Sequence, residues 1–398
     1  MVSMRSGLRP SAPARAQCPM RAAHPLVELA RALQPLVRDR AAAAERAAGP
    51  DPEVVRAMAD AGLYAMCAPA SVGGAAADPL TTISVIDAIA QADGATGWVL
   101  MIGAETTGIG GAYVPAETAA EVFGGERRVV ICGALNPVVR AQRVDGGYVV
   151  NGQWPFASGC QQADWFWGQC IVDGTEAEAV EVLVPRAEYE VLTTWNSTGL
   201  RGTGSHDVCV HELFVPDSHV TRTRTERPGN PKPLFRIPLT SRLAYNKVGV
   251  ATGIARGAID HFVALANERK PRFSSALLRE RPRAQLAVAE AEALLGGALG
   301  FVTDAVGGLW ETVQRGERAT VRQQALVRLS CSHAAASCAK AVTMLYEAAG
   351  TAMSDGDHPL ARAFRDAHIV GQHIMASPHA IDGAGRVLLG LDPLSPAF

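Results

Sequence analysis

The residues best equipped for chemistry in this 398-residue chain lie in two short strings and at one histidine. The first string is Trp154-Pro155-Phe156-Ala157-Ser158-Gly159, inside VVNGQWPFASGCQQADWFW (149–167). It sets one hydroxyl, one fixed φ and one unrestricted glycine among aromatic rings. Aromatic walls with exposed backbone N–H groups suit a flat, polar-edged heterocycle such as a flavin. The alternative is an ordinary hairpin whose aromatics fill a core. The second string is Gly202-Thr203-Gly204-Ser205, a glycine turn of a kind common in β-proteins. The histidine is His373, in a stretch read as helical, where it shares a face with Ile369 and, two turns back, Asp366. Such a residue is either a satisfied core histidine or, through near-neutral titration, a group that handles protons. His368 falls on another face, and His206 and His211 read as structural.

Composition narrows the partners. The chain is 48% apolar, 19% charged and carries a formal charge of −2, which argues against nucleic acid or a membrane surface as its main target. Its eight cysteines form no Cys-x-x-Cys pair. Cys331 and Cys338 stand about 10 Å apart by helical rise, beyond disulfide reach. A reduced, cytoplasmic protein is expected. No His-x-x-x-His or Glu-x-x-His spacing occurs, so no metal is expected. Residues 1–24 are rich in Arg, Ala, Ser and Pro without an apolar centre and read as a disordered tail. No run of 18 apolar residues signals a transmembrane helix.

The elements that must position the two strings follow from periodicity. From 25 to 128 the period is helical: a helix from Pro25, a second opened by Asp51-Pro52 and closed near Gly62, two apolar helices breaking at Asp93-Gly94, and a short one over 115–123. Near Arg128 the period changes to two. A β-barrel or sandwich is expected over 129–228, with turns at Asp145-Gly146 and Asn151-Gly152. A linker spans 223–233. Four long helices follow, at 243–267, 283–312, 320–349 and 360–376, making 229–398 a four-helix bundle. Small residues (Gly249, Gly253 and Gly257; Ala334 to Ala336) permit close helix approach, and part of the bundle's apolar surface is expected to pack on another subunit.

This α+β order and six local strings resemble the acyl-CoA dehydrogenase superfamily. The strings are GLYAMCAPASVGG (62–74), DGATGWV (93–99), DGGYVVNGQWPFASGC (145–160), STGLRGTGSHDVCVHELFVP (197–216), LYEAAG (345–350) and RDAHIVGQHIM (365–375). The resemblance implies a flavin between the β-domain and the C-terminal bundle, and a homotetramer arranged as a dimer of dimers. Dehydrogenases of this fold use a glutamate to take the α-proton of an acyl thioester. Neither family position carries one here: 365–385 read RDAHIVGQHIMASPHAIDGAG, and 239–253 read LTSRLAYNKVGVATG. The Thr-Glu-Pro string of the dehydrogenases is altered to Ala134-Leu135-Asn136-Pro137.

The chain instead resembles the flavin-dependent monooxygenase branch, the two-component hydroxylases. That likeness implies reduced FMN or FAD delivered by a separate NAD(P)H flavin reductase, reaction with O₂ through a C4a-hydroperoxide, and hydroxylation or N-oxygenation of a small organic substrate. In it Ser158 matches the residue beside flavin N5, with Trp154, Phe156 and Ala157 around it. Arg201, Thr203, Gly204 and Ser205 match the opposite wall. His373 matches the pocket histidine, so His373 and Ser158 are the catalytic candidates. Arg269 and Arg272 stand where dehydrogenases hold a neighbouring subunit's flavin pyrophosphate, although a solvated basic loop explains them as well.

Trp98, Glu105 and Thr106 fall in the substrate pocket by the same likeness. Phenol hydroxylases carry a histidine near position 106, and its replacement by Thr106 argues against a simple phenol. Glu105 either meets a substrate amine or is a solvated helix residue. Two other readings remain: a dehydrogenase with an unrecognised base, and a catalytically silent subunit paired with an active one.

Overall fold

The computed structural model describes residues 24–175, 178–223 and 232–394, leaving aside the side chains of 136–138. The expected N-terminal tail and most of the 223–233 linker lie outside the described residues.

Five helices open the chain: α1 (Pro25–Ala47), α2 (Pro52–Asp60), α3 (Pro79–Ala90), α4 (Gly94–Tyr113) and α5 (Ala116–Phe123). Their starts are set by side chains that accept orphan backbone N–H groups. Asp51 caps α2 through Glu53 N and Val54 N, and Asp93 caps α4 through Thr96 N at 2.8 Å. Helices α3 and α4 are buried on nearly all sides, which is why they read as apolar throughout rather than amphipathic.

One seven-stranded sheet follows, in the order β5-β6-β2-β1-β3-β4-β7. Its strands are β1 (Ile131–Val144), β2 (Gly147–Trp154), β3 (Trp165–Val172), β4 (Ala179–Pro185), β5 (Glu190–Leu192), β6 (Asp207–Pro216) and β7 (Val220–Thr221). All pairings are antiparallel except β1 with β3. The expected turn at Asp145-Gly146 joins β1 to β2. The expected turn at Asn151-Gly152 is absent: β2 continues through it to Trp154, with a register shift against β6 between Val150 and Gly152. Gly152 takes φ +146 there. The same backbone freedom that favours a hairpin serves a bulge equally well. Strands β2 and β3 therefore do not pair with each other; both flank β1.

The C-terminal helices are α6 (Leu239–Glu268), α7 (Pro282–Gln314), α8 (Val321–Ala349), α9 (Pro359–Val370) and α10 (His379–Leu388). The helix expected to reach residue 376 stops at Val370. Residues 371–378 form a turn, so His373 sits on a connection and not on a helix face. The glycine stripe of α6 lies on α3: a Cβ at Gly249, Gly253 or Gly257 would come within 2.7, 2.5 or 2.6 Å of the Ile83, Asp87 or Gln91 carbonyl oxygen. Both stripes advance by four residues, so the two helices touch backbone to backbone over two turns.

Candidate functional site

In the loop Pro155–Asp164, leaving β2, the backbone N–H groups of Ala157, Ser158 and Gly159 are already used. Ala157 N–H donates to His206 O at 2.9 Å, Ser158 N–H to Phe156 O at 3.0 Å and Gly159 N–H to Thr203 O at 2.9 Å. Two of these bonds zip the loop to the glycine turn, which brings the two strings together. Trp154, expected at the cofactor, is fully enclosed in the sheet's interior, its indole N–H donating to Gln169 O at 2.7 Å. Its position follows from strand alternation at the end of β2, which turns it inward. Phe156 faces outward, 62% exposed, at φ +64 and edge-on to Trp195.

Behind the loop, side chains bond to one another. Trp98 on α4 donates from Nε1 to Ser158 Oγ at 3.2 Å. Ser158 Oγ lies 2.7 Å from Ser205 Oγ, which lies 2.7 Å from Thr203 Oγ1. Thr203 donates to Leu200 O at 2.8 Å. All four side chains are buried. Trp98 also meets the His373 ring edge-on, with centroids 5.4 Å apart. Trp98, Ser158, Thr203, Ser205 and His373 thus form one continuous lining, drawn from three parts of the chain.

His373 does not titrate near neutrality. Burial, with the Lys247 and Arg328 cations nearby, pulls it down to about 3, so it is a neutral imidazole. Its Nδ1 accepts from Met375 N at 3.2 Å, which leaves the hydrogen on Nε2. The turn that carries it is gripped by Arg328 of α8, whose guanidinium donates to Ile374 O and Met375 O, both at 3.3 Å.

Glu105 is neither solvated nor free. Both its oxygens accept from Lys247 Nζ of α6, at 2.9 and 2.7 Å, with the two side chains 5% and 2% exposed. Burial still raises its pKa, against the pull of Lys247. Thr106 turns its hydroxyl to its own helix and to β1, meeting the Ile102, Gly103 and Ile131 carbonyls. Neither residue is open to a ligand in this arrangement.

The wall is fastened to the bundle through Asp366 of α9, whose Oδ1 accepts from Leu200 N at 2.6 Å. Burial and the adjacent Asp93 push Asp366 upward. Arg362 meets Asp93 at 3.3 Å, and Arg365 meets Glu45 at 2.5 Å. Arg201 points away from the hydroxyls, donating to Asn196 Oδ1 and Ser197 O, into an outer groove that Arg365 also lines. Gly204, at φ +52, makes the turn between Thr203 and Ser205. Arg269 donates to Thr351 Oγ1, while Arg272 and Phe273 are exposed. The structure does not join either arginine to the buried lining within one chain. His206, by contrast, is buried and fully used, accepting from Thr194 N and Trp195 N and bonding to Ala48 O.

Lys247, Arg328 and Asp366 escaped the sequence reading as parts of this site. One signal was visible: Lys247 is one of only four lysines, set in the otherwise small and apolar LAYNKVGVATG. These side chains fit the edge of a flavin ring. Ser158 keeps a lone pair, the buried Trp98 indole donates to it, and the neutral His373 imidazole meets that indole. Among the described residues, no group of three or more His, Cys, Asp or Glu could hold a metal.

Two family descriptions match the chain: "Acyl-CoA dehydrogenase, N-terminal domain" over residues 27–114 and "Acyl-CoA dehydrogenase, C-terminal domain" over 246–378. An indole-3-acetate monooxygenase of Pseudomonas putida is 33% identical over 344 residues, 86% of this chain and 88% of the relative. The flavin-dependent monooxygenase oxygenase subunit HsaA of Rhodococcus jostii is 31% identical, over 87% of this chain and 93% of its own. The crystal structure of a 3-HSA hydroxylase from Rhodococcus superposes with TM-score 0.87 at 29% identity, covering 95% of this chain and all of that one.

Proposed function

The chain belongs to the acyl-CoA dehydrogenase superfamily, in its flavin-dependent monooxygenase branch, and we propose how its own residues serve that chemistry. It is the oxygenase component of a two-component system and works with a separate flavin reductase. The observation that carries the reading is the Glu105–Lys247 pair. The buried carboxylate of α4 has both oxygens committed to an ammonium group, and His373 is neutral beside it. Neither can act as the strong, desolvated base that thioester desaturation requires.

Reduced FMN or FAD, when bound, supplies the electrons that activate O₂. Ser158 would meet the ring edge near N5, with Trp98 and the Thr203–Ser205 turn behind it. His373 offers an Nε2 hydrogen on the substrate side and holds it across the physiological range. The buried lining excludes water. Arg269 and Arg272, outside the lining of their own chain, are placed to reach the flavin phosphate of a neighbouring subunit. We place the three working parts at 25–128, 129–228 and 229–398.

The substrate is a small organic molecule, and an aromatic acid of the indole-3-acetate kind is the first to test, given the relative's name. A homotetramer is supported by α7, where Gly296, Gly297, Gly300 and Gly308 have open space around them, and by exposed Leu286, Ile374 and Leu389. A cytoplasmic setting agrees with the described cysteines, all buried and unpaired.

The test supplies purified protein with a flavin reductase, NAD(P)H, FMN or FAD and candidate aromatics under air. Oxygen-dependent product formation is expected. Anaerobic bleaching of bound oxidised flavin by an acyl-CoA would establish the dehydrogenase instead.

A further inference from the structure

The four hydrogen bonds behind Ser158 can be counted against the hydrogens available to make them. One end of the chain, Trp98 Nε1, can only donate; the other, Leu200 O, can only accept. Between them stand the hydroxyls of Ser158, Ser205 and Thr203, with one hydrogen each. Four contacts and four hydrogens allow one arrangement that satisfies all of them. Trp98 donates to Ser158, Ser158 to Ser205, Ser205 to Thr203 and Thr203 to Leu200 O. The acceptor end is pinned, because Leu200 N is itself held by Asp366.

In that arrangement Ser158 has spent its hydrogen inward and has only a lone pair left to offer. A ring position facing it must therefore bring its own N–H. Reduced flavin carries a hydrogen at N5; oxidised flavin presents a bare nitrogen there that can only accept. To meet the oxidised ring, Ser158 must turn its hydrogen outward. Either its contact with Ser205 is then left without a hydrogen, or the hydroxyls behind it reverse and Thr203 gives up its bond to Leu200 O; on both routes three contacts are made where four stood.

We propose that Ser205 and Thr203 are positioning residues that set the polarity of Ser158, so that this chain discriminates reduced from oxidised flavin by one hydrogen bond. The proposal rests on the placement of Ser158 at the ring edge. The expected preference for the reduced form from this source is about tenfold, the worth of one net hydrogen bond. It raises the two-electron potential of the bound flavin by about 30 mV relative to a chain without it.

The experiment measures Kd for oxidised and for dithionite-reduced FMN, anaerobically, together with the potential of bound FMN. It compares the natural chain with Ser205→Ala, Thr203→Val, Thr203→Ser and Ser158→Ala. Removing Ser205 frees the Ser158 hydrogen. Removing the Thr203 hydroxyl makes both polarities equal in bond count. Both variants should lose most of the preference and lower the potential by about 30 mV, and Thr203→Ser should restore both. Unchanged ratios in Ser205→Ala and Thr203→Val, with Ser158→Ala altered, would overturn the polarity proposal and leave the placement of Ser158 standing. Unchanged affinities for both flavin forms in Ser158→Ala would overturn the placement itself. Circular dichroism and gel filtration identify any variant that has failed to fold, and Ser205→Ala and Thr203→Val each test the proposal alone.

Discussion

At His373, enclosure decides which proton chemistry is open. The ring is neutral down to about pH 3, so it gives or shares a hydrogen and does not carry charge at working pH. His373→Ala should slow oxygen transfer by about 100-fold, within the span typical for a lost proton-handling group. Flavin Kd should change little, and equal losses in both would mark the histidine as structural. The pH profile of turnover should show no inflection from His373 between 5 and 8. Glu105 and Lys247 make a different prediction. Lys247→Met strands a buried carboxylate and should cost about 3–5 kcal/mol in urea unfolding, whereas the double change Glu105→Gln with Lys247→Met should recover most of that. At this scale the sequence was a partial guide. Ser158, Thr203 and Ser205 stand out by type and spacing, but nothing local says that Trp154 points inward or that Glu105 meets a lysine 142 positions away. Those facts are tertiary.

The helices and strands were more legible than the side chains, because their signals are local. Asp51, Asp93 and the prolines after helix caps mark starts that the structure keeps. Two readings differed for physical reasons. Asn151-Gly152 serves as a bulge because β6 continues alongside it, with Val210 opposite Gly152. The last bundle helix divides at Gly371, and in the turn that follows Arg328 donates to the Ile374 and Met375 carbonyls; Pro378 has no N–H to offer Ile374 O in a continuing helix. The α3–α6 contact allows a sharp test. A side chain at Gly253 would enter within 2.5 Å of the Asp87 carbonyl oxygen. Gly253→Val should therefore lower stability by about 1–3 kcal/mol or more in thermal or urea unfolding, although glycine is itself a poor helix former.

For the molecule as a whole, buried titratable groups shape stability against pH. His373 and His261 are depressed to about 3 and 4, the latter by burial first and then by His358, Arg362 and Arg38. Below about pH 6.5 the unfolded chain binds protons that the native chain refuses, so stability falls as pH drops. Asp366 works in the opposite direction. Its raised pKa keeps a proton in the native state that the unfolded carboxyl has already lost, so stability falls as pH rises toward its titration. Melting temperature should peak near neutrality, and Asp366→Asn should flatten the alkaline side. The proposed assembly makes a second prediction at this scale. Gly296→Arg on the open face of α7 should leave the monomer fold intact and shift the sedimentation profile toward smaller species.

The distribution of the lining along the chain has a bearing on biosynthesis. Trp98 leaves the ribosome early, Ser158 and Ser205 midway, and the tether at Asp366 and the imidazole at 373 within the last tenth of translation. A nascent or prematurely terminated polypeptide thus lacks both the anchor of its Leu200 wall and the imidazole that meets Trp98.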